Sequence, residues 1–116
     1  MVIKMITVTF YKDSSDRFIG FKSVGHAGAG ERGNDVVCAA ISILVINTVN
    51  SIEMFTNDRA ACHADEKNFG YISYRLKDKG SEESQLLLKS LHLGVEGVMR
   101  ENKKYIKLKI LKIKEV

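Results

Sequence analysis

Residues Gly25 to Gly33 carry four of the chain's nine glycines, at positions 25, 28, 30 and 33. A stretch so rich in glycine has too few side chains to build a core and too much backbone freedom to hold a regular element, so it must be a loop. Everything else is organised around it. Before it, Ile3 to Tyr11 alternate, with Ile6, Val8 and Phe10 on one face and Thr7, Thr9 and Tyr11 on the other. That period of two predicts a strand. Lys12-Asp13-Ser14-Ser15-Asp16 is a polar turn, and Phe18 to Val24 reads as a second strand, which makes the first unit a β-hairpin.

After the loop, an apolar pattern runs from about Val36 to Phe55. Its first half is apolar on every side, and its length decides for a helix, expected to be central and buried. Asn34 or Asp35 is placed to cap it. Cys62–Ala64 and Phe69–Leu76 flank Asp65-Glu66-Lys67-Asn68 and read as a second hairpin. Ser81 can cap a second helix whose first turn holds Glu82 and Glu83, matching the positive end of the helix dipole. Leu87, Leu88, Leu91, Val95 and Val98 form its buried stripe, with Lys89, Glu96 and Arg100 on the wet side. A last strand spans Tyr105 to Ile113, with a phase slip at Ile110-Leu111 that reads as a bulge or as the strand's exit from the sheet. The order is ββαββαβ. The expectation is an α+β fold in which a mostly antiparallel sheet is covered by two helices, in a single domain over residues 1–116.

The 116 residues suffice for one hydrophobic core, and the shares of apolar (45%) and charged (28%) residues are those of a globular protein. The net charge is +4, with lysines gathered between Lys103 and Lys114. Such a basic strand can meet nucleic acid or an acidic partner, but it is also the usual protection of an edge strand. On that ground a nucleic-acid partner is not expected. Met1-Val2-Ile3-Lys4 has a strand pattern and no secretory one, so a cytoplasmic location with Cys38 and Cys62 as free thiols is expected. The longest apolar run, Val36 to Ile46, is broken by Ser42 and is too short for a bilayer, so no membrane partner is expected.

The chemistry-bearing residues stand at the two ends of the glycine loop. Cys38 is expected in the first turn of the apolar helix, where free backbone N–H groups and the dipole favour a thiolate. His26 lies twelve residues upstream, at the end of a strand. A loop of that length can fold back and bring the imidazole within reach of the thiol as a general base. Asp35 can cap the helix, orient His26 or bind a substrate backbone. Ser42 is one turn beyond Cys38, able to point toward the site or to bond the carbonyl four residues earlier. The plain alternative for Cys38 is a small core residue among Val37, Ala39 and Ile41.

Other chemistries fit less well. The loop lacks a Gly-Lys-Ser/Thr ending, so it is not a P-loop. Gly28-x-Gly30-x-x-Gly33 has the spacing of a dinucleotide fingerprint, but a hairpin strand precedes it instead of a βαβ unit. Cys38, Cys62, His26 and His63 lack zinc-module spacing, and the adjacent Cys62 and His63 point to opposite faces of a strand. No metal and no cofactor are expected.

Gly25-His26-Ala27, Gly33-Asn34-Asp35 and Val37-Cys38-Ala39-Ala40-Ile41-Ser42 resemble the ribosomal processing cysteine protease (Prp) family, whose pattern is Gly-His-Ala, a Gly-containing loop, then Gly-x-Asp-x-Val-Cys-Ala-Ala-x-Ser. Every position of that pattern is matched, and length and element order fit as well. The resemblance implies a small cytoplasmic homodimer. It would remove the N-terminal extension from the precursor of a large-subunit ribosomal protein. It makes Cys38 the nucleophile and His26 the general base, gives Asp35 a supporting place, and has the loop with Gly25, Ala27, Gly28, Gly30 and Gly33 close over the substrate peptide. The competing expectation is a non-catalytic ribosome- or RNA-associated module that binds through the strand from Lys103 to Lys114.

Overall fold

The two strands before the glycine loop form the expected hairpin, β1 (Ile6–Lys12) and β2 (Phe18–Val24). Its turn is built by Asp13, whose Oδ1 accepts the backbone N–H groups of Ser15 at 2.8 Å and Arg17 at 3.0 Å. Asp16 takes the left-handed conformation, φ 64°, that short polar residues tolerate best. The pairing skips one residue of β2 between Tyr11 and Lys12, a bulge next to the turn. This computed structural model describes residues 5–25, 32–65 and 70–113, with only the backbone of residues 32–35.

The remaining elements are α1 (Arg32–Phe55), β3 (Ala60–Ala64), β4 (Tyr71–Leu76), α2 (Glu82–Glu101) and β5 (Ile106–Lys112). One sheet holds all five strands in the order β3-β4-β2-β1-β5. Three pairings are antiparallel, and β1–β5 is parallel. The expected α+β architecture and ββαββαβ order are therefore present. Neither the bulge nor the exit from the sheet expected at Ile110-Leu111 occurs: β5 pairs with β1 without a break from Ile6↔Ile106 to Lys12↔Lys112. Both Ile110 and Leu111 are exposed there, so two apolar residues in succession mark a strand leaving its cover, with no change of register.

On the covered face, Ile6, Val8 and Phe10 pack with Phe21 and Tyr74 under the helices. The rings of Phe21 and Tyr74 stack at 5.5 Å, and Phe10 meets His92 of α2 edge-on at 5.0 Å. The expected stripe of α2 supplies Leu88, Leu91 and Val95, all buried, with Leu87 and Val98 half-buried at its margin. Ser81 caps α2 by accepting the Ser84 N–H at 3.1 Å. Asp58, in the loop after α1, fixes that cap. It accepts from Ser81 N–H at 2.9 Å, from Ser81 Oγ at 2.6 Å and from Ser84 Oγ.

α1 departs from expectation in three ways. It begins at Arg32, so Asn34 and Asp35 lie inside it and do not cap it. It is not buried all round. Val37, Ile41, Val45 and Ile52 face the core, while Val36, Ile43, Ile46, Met54 and Phe55 are exposed. Two opposite apolar stripes defeat a period analysis, which sees only an apolar cylinder. Finally, the apolar stretch continues through Phe55 and is long enough to cross a bilayer by length and composition. In this fold, however, its Val37–Ile52 stripe is already used by the core.

Candidate active site

Gly25 ends β2 and starts the glycine loop. Its φ is 108°, a conformation costly for any residue with a Cβ. Its N–H donates to the carbonyl of Gly70 at 2.8 Å, tying the loop's root to the β3–β4 hairpin. Across from it runs the first half of α1. Between the two lies a cleft of about 290 Å³, lined by Gly25 and Ser23 on one side, Ile41, Ser42, Val45 and Ile46 on the other, and Ala64, Asp65, Gly70, Tyr71 and Ile72 of the second hairpin at its end. Most of its wall is aliphatic or aromatic, and Ser42 and Asp65 supply polar side chains.

Cys38 stands one helical turn before Ser42 and two before Ile46, on the same row of α1. Its side chain is half-buried and packs against the core cluster. The thiol therefore belongs to the flank of the helix that forms the cleft, at the end nearer the glycine loop. The first-turn placement expected for Cys38 is corrected, because it is the seventh residue of α1. The first four residues of the helix, 32–35, lie about 4.5 to 9 Å further along the axis at 1.5 Å per residue.

Ser42 is exposed on the cleft wall, and its hydroxyl makes no hydrogen bond among the described residues. The back-bond to the carbonyl four residues earlier is made instead by Thr48, to Leu44, and by Thr56, to Ile52, at 2.8 and 2.7 Å. His26, Ala27, Gly28 and Gly30 lie outside the described residues, as do the side chains at Asp35 and Gly33. The strand before the loop pairs antiparallel on both sides, so the dinucleotide context is missing. The part played by Gly70, Tyr71 and Ile72 escaped sequence reasoning, because only the β2–β4 pairing brings them beside Gly25.

The second cysteine is elsewhere. Cys62 lies on edge strand β3 and lines a separate cleft of about 420 Å³ with Glu53, Asp58, Arg59 and Tyr74. Burial, and then the Glu53 carboxylate, push its thiol above the ordinary cysteine value, which disfavours a nucleophile. Its neighbour His63 is on the opposite face of the sheet.

The cysteine protease Prp family model matches residues 5–107 of this chain. The chain belongs to that family. As a Prp-family member it is a cysteine protease. The ribosomal processing cysteine protease Prp of Staphylococcus aureus is 31% identical over 104 residues, covering 90% of this chain and 97% of the relative. That of Bacillus subtilis is 25% identical over 103 residues, covering 85% and 91%. The fold is shared as well. The S. aureus Prp solved with a substrate peptide superposes with a TM-score of 0.85 at 28% identity, over 92% of this chain and all of the other. The same protease with a covalently linked product peptide gives 0.84 at 29% identity, with the same coverage. Gly25 and the row of α1 that continues from Cys38 through Ser42 and Ile46 thus stand on the two flanks of one cleft in this chain.

Proposed function

We propose that this chain is an endopeptidase that removes the N-terminal extension from the precursor of a bacterial large-subunit ribosomal protein, with Cys38 as nucleophile and His26 as general base. The supporting observation is the cleft between Gly25 and the Cys38 row, in a chain matched over 92% of its length by S. aureus Prp structures that carry a substrate and a covalently linked product peptide. In this reading His26 takes the proton from Cys38 Sγ, and the thiolate attacks the scissile carbonyl. The tetrahedral intermediate collapses to an acyl-enzyme as the amine leaves with a proton from His26. Water, deprotonated by His26, then releases the peptide acid and restores the thiol. Asp35 and Ser42 support the site, and the loop from Gly25 to Gly33 folds over the bound peptide, excluding water. The reaction needs no metal or cofactor.

The enzyme works in the cytoplasm, as a homodimer. Support for the dimer is the exposed stripe Val36, Ile43 and Met54, apolar over several turns of α1 and opposite the stripe used by the core. The deciding experiment is incubation with the full-length precursor of the source organism's ribosomal protein, followed by intact mass. One cut near the N-terminus, lost in Cys38→Ala and in His26→Ala, is expected. A cut that survives Cys38→Ala would remove the nucleophile assignment, and no cut of any such precursor would remove the substrate.

A further inference from the structure

Both helices contribute to the one core on one side of the sheet, and none of the described residues forms a second layer on the other. Strand alternation and register give the composition of that open face. One row across it reads His63, Ser73, Lys22, Thr9, Lys109. The row on one side holds Arg75, Gly20, Tyr11 and Leu111, and the row on the other holds Tyr71, Val24, Thr7 and Lys107. Four cations thus stand on one flat surface, with two tyrosine rings and several hydroxyls between them.

No carboxylate occupies any position of the five strands. Among the described residues Lys22, Arg75, Lys107 and Lys109 form no ion pair, whereas Lys12 and Lys112 at the end of the sheet share Asp16. The charge is therefore segregated, with cations left free on this face and acids confined to helices, turns and loops. Edge protection accounts for Lys107 and Lys109, which lie on edge strand β5. It does not account for Lys22 on β2 or Arg75 on β4, since both strands are paired on both sides. The expectation against nucleic acid weighed only the lysines of the last strand, and the sheet order adds these two.

We infer that the open face of the sheet, centred on Lys22 and Lys109 with Arg75, Lys107, Tyr11 and Tyr71 around them, binds single-stranded RNA. Its cations take phosphates and its rings offer stacking platforms for unpaired bases. Strands about 4.8 Å apart set Lys22 and Lys109 about 10 Å from one another, a span that a flexible single strand can bridge with successive phosphates. A lipid surface fits less well, because the most exposed large apolar side chains, among them Ile43, Met54, Phe55 and Leu86, are on the two helices, in the opposite layer. The face adjoins the cleft at Tyr71, which lines both, but Lys22, Lys109, Arg75 and Lys107 lie outside the cleft, so the inference stands whether or not the proposed substrate is correct.

The test is fluorescence anisotropy of a labelled, mixed-sequence single-stranded RNA of about 12 nucleotides, titrated at about 50 to 200 mM salt, where four phosphate contacts give a log–log slope near −3. The full chain is compared with Lys22→Glu/Lys109→Glu and with Lys79→Glu/Lys89→Glu, which makes the same charge change near and on α2. Saturable binding, weakened ten-fold or more only by the first pair, is expected. Lys109→Glu alone, at an exposed edge position, reads the same effect should the half-buried Lys22 change the fold. Absence of binding at the lowest salt, equal weakening by both pairs, or binding to phosphatidylglycerol vesicles in place of RNA would overturn the inference.

Discussion

A Cβ on Gly25 would lie 2.3 Å from the carbonyl oxygen of Met5, so the backbone just after β2 runs hard against the residue before β1. The approach and the positive φ act together: neither leaves room for an L side chain. Gly25→Ala is expected to lose about 1–2 kcal/mol from the left-handed conformation alone, and more from the collision. Because His26 is the next residue, kcat is expected to fall by more than the stability loss explains, when both are measured well below Tm. Gly97 is the control. It is a helical glycine with nothing within 4 Å of its Cβ, so Gly97→Ala should raise stability by about 0.5–1 kcal/mol and leave turnover unchanged.

Asp58 joins the α1–β3 loop to the N-terminus of α2. The hydrogen bonds from the Ser81 and Ser84 hydroxyls and the Ser81 N–H hold its carboxyl below the usual aspartate value of 3.8. The folded state thus favours the ionised form. The stabilisation is complete above the unfolded value and is lost as pH falls through the lower folded value. Asp58→Asn should cost about 1–3 kcal/mol at neutral pH. The gap in Tm between native chain and variant should close below about pH 4, where the unfolded carboxyl takes up its proton. A constant gap from pH 7 to pH 2 would mean that packing, and not charge, is what Asp58 contributes.

The strands were legible because each has one wet face. Ile6, Val8 and Phe10 alternate with Thr7 and Thr9, and the burial follows that alternation closely, Thr9 excepted. The second helix was legible for the same reason, down to its Ser81 cap. The first was not. Ser42 and Asn47 are the polar residues near its middle, and they do not separate the core stripe from the exposed one. Its start was misplaced because Arg32-Gly33-Asn34-Asp35 has poor helix formers, which the rest of a 24-residue helix carries along. The family was legible as a motif, Gly25 through Ser42, but the cleft was not, since part of its lining comes from β3 and β4 by a pairing no local pattern announces.

Ser42 lines the cleft one turn beyond Cys38, and its hydroxyl makes no hydrogen bond among the described residues. A hydrogen bond to bound peptide would contribute about 0.5–1.5 kcal/mol. Ser42→Ala is therefore expected to lower kcat/KM on the precursor by about 2- to 10-fold, with Tm unchanged within a degree because no bond among the described residues is lost. Ser42→Thr, which keeps the hydroxyl, should recover most of the activity. If Ala and Thr variants fall equally, the position is read for size, and the hydroxyl has no part.

Tyr74 gives the fold an alkaline limit. Burial, followed by the charges of Cys62, Asp58 and Glu53, pushes its phenol from 10.0 up to about 12. Below pH 10 the phenol is neutral in both folded and unfolded chains, and nothing is lost. Between pH 10 and about 12 the unfolded chain ionises while the folded one resists, so stability falls as pH rises. Tyr74→Phe keeps the ring against Phe21 and removes the proton, so its stability should not fall in this way from this residue. The measurement is urea unfolding at pH 8, 10 and 11.5. The native chain should lose midpoint between the last two by more than Tyr74→Phe does, and parallel losses would assign the alkaline limit to the lysines instead.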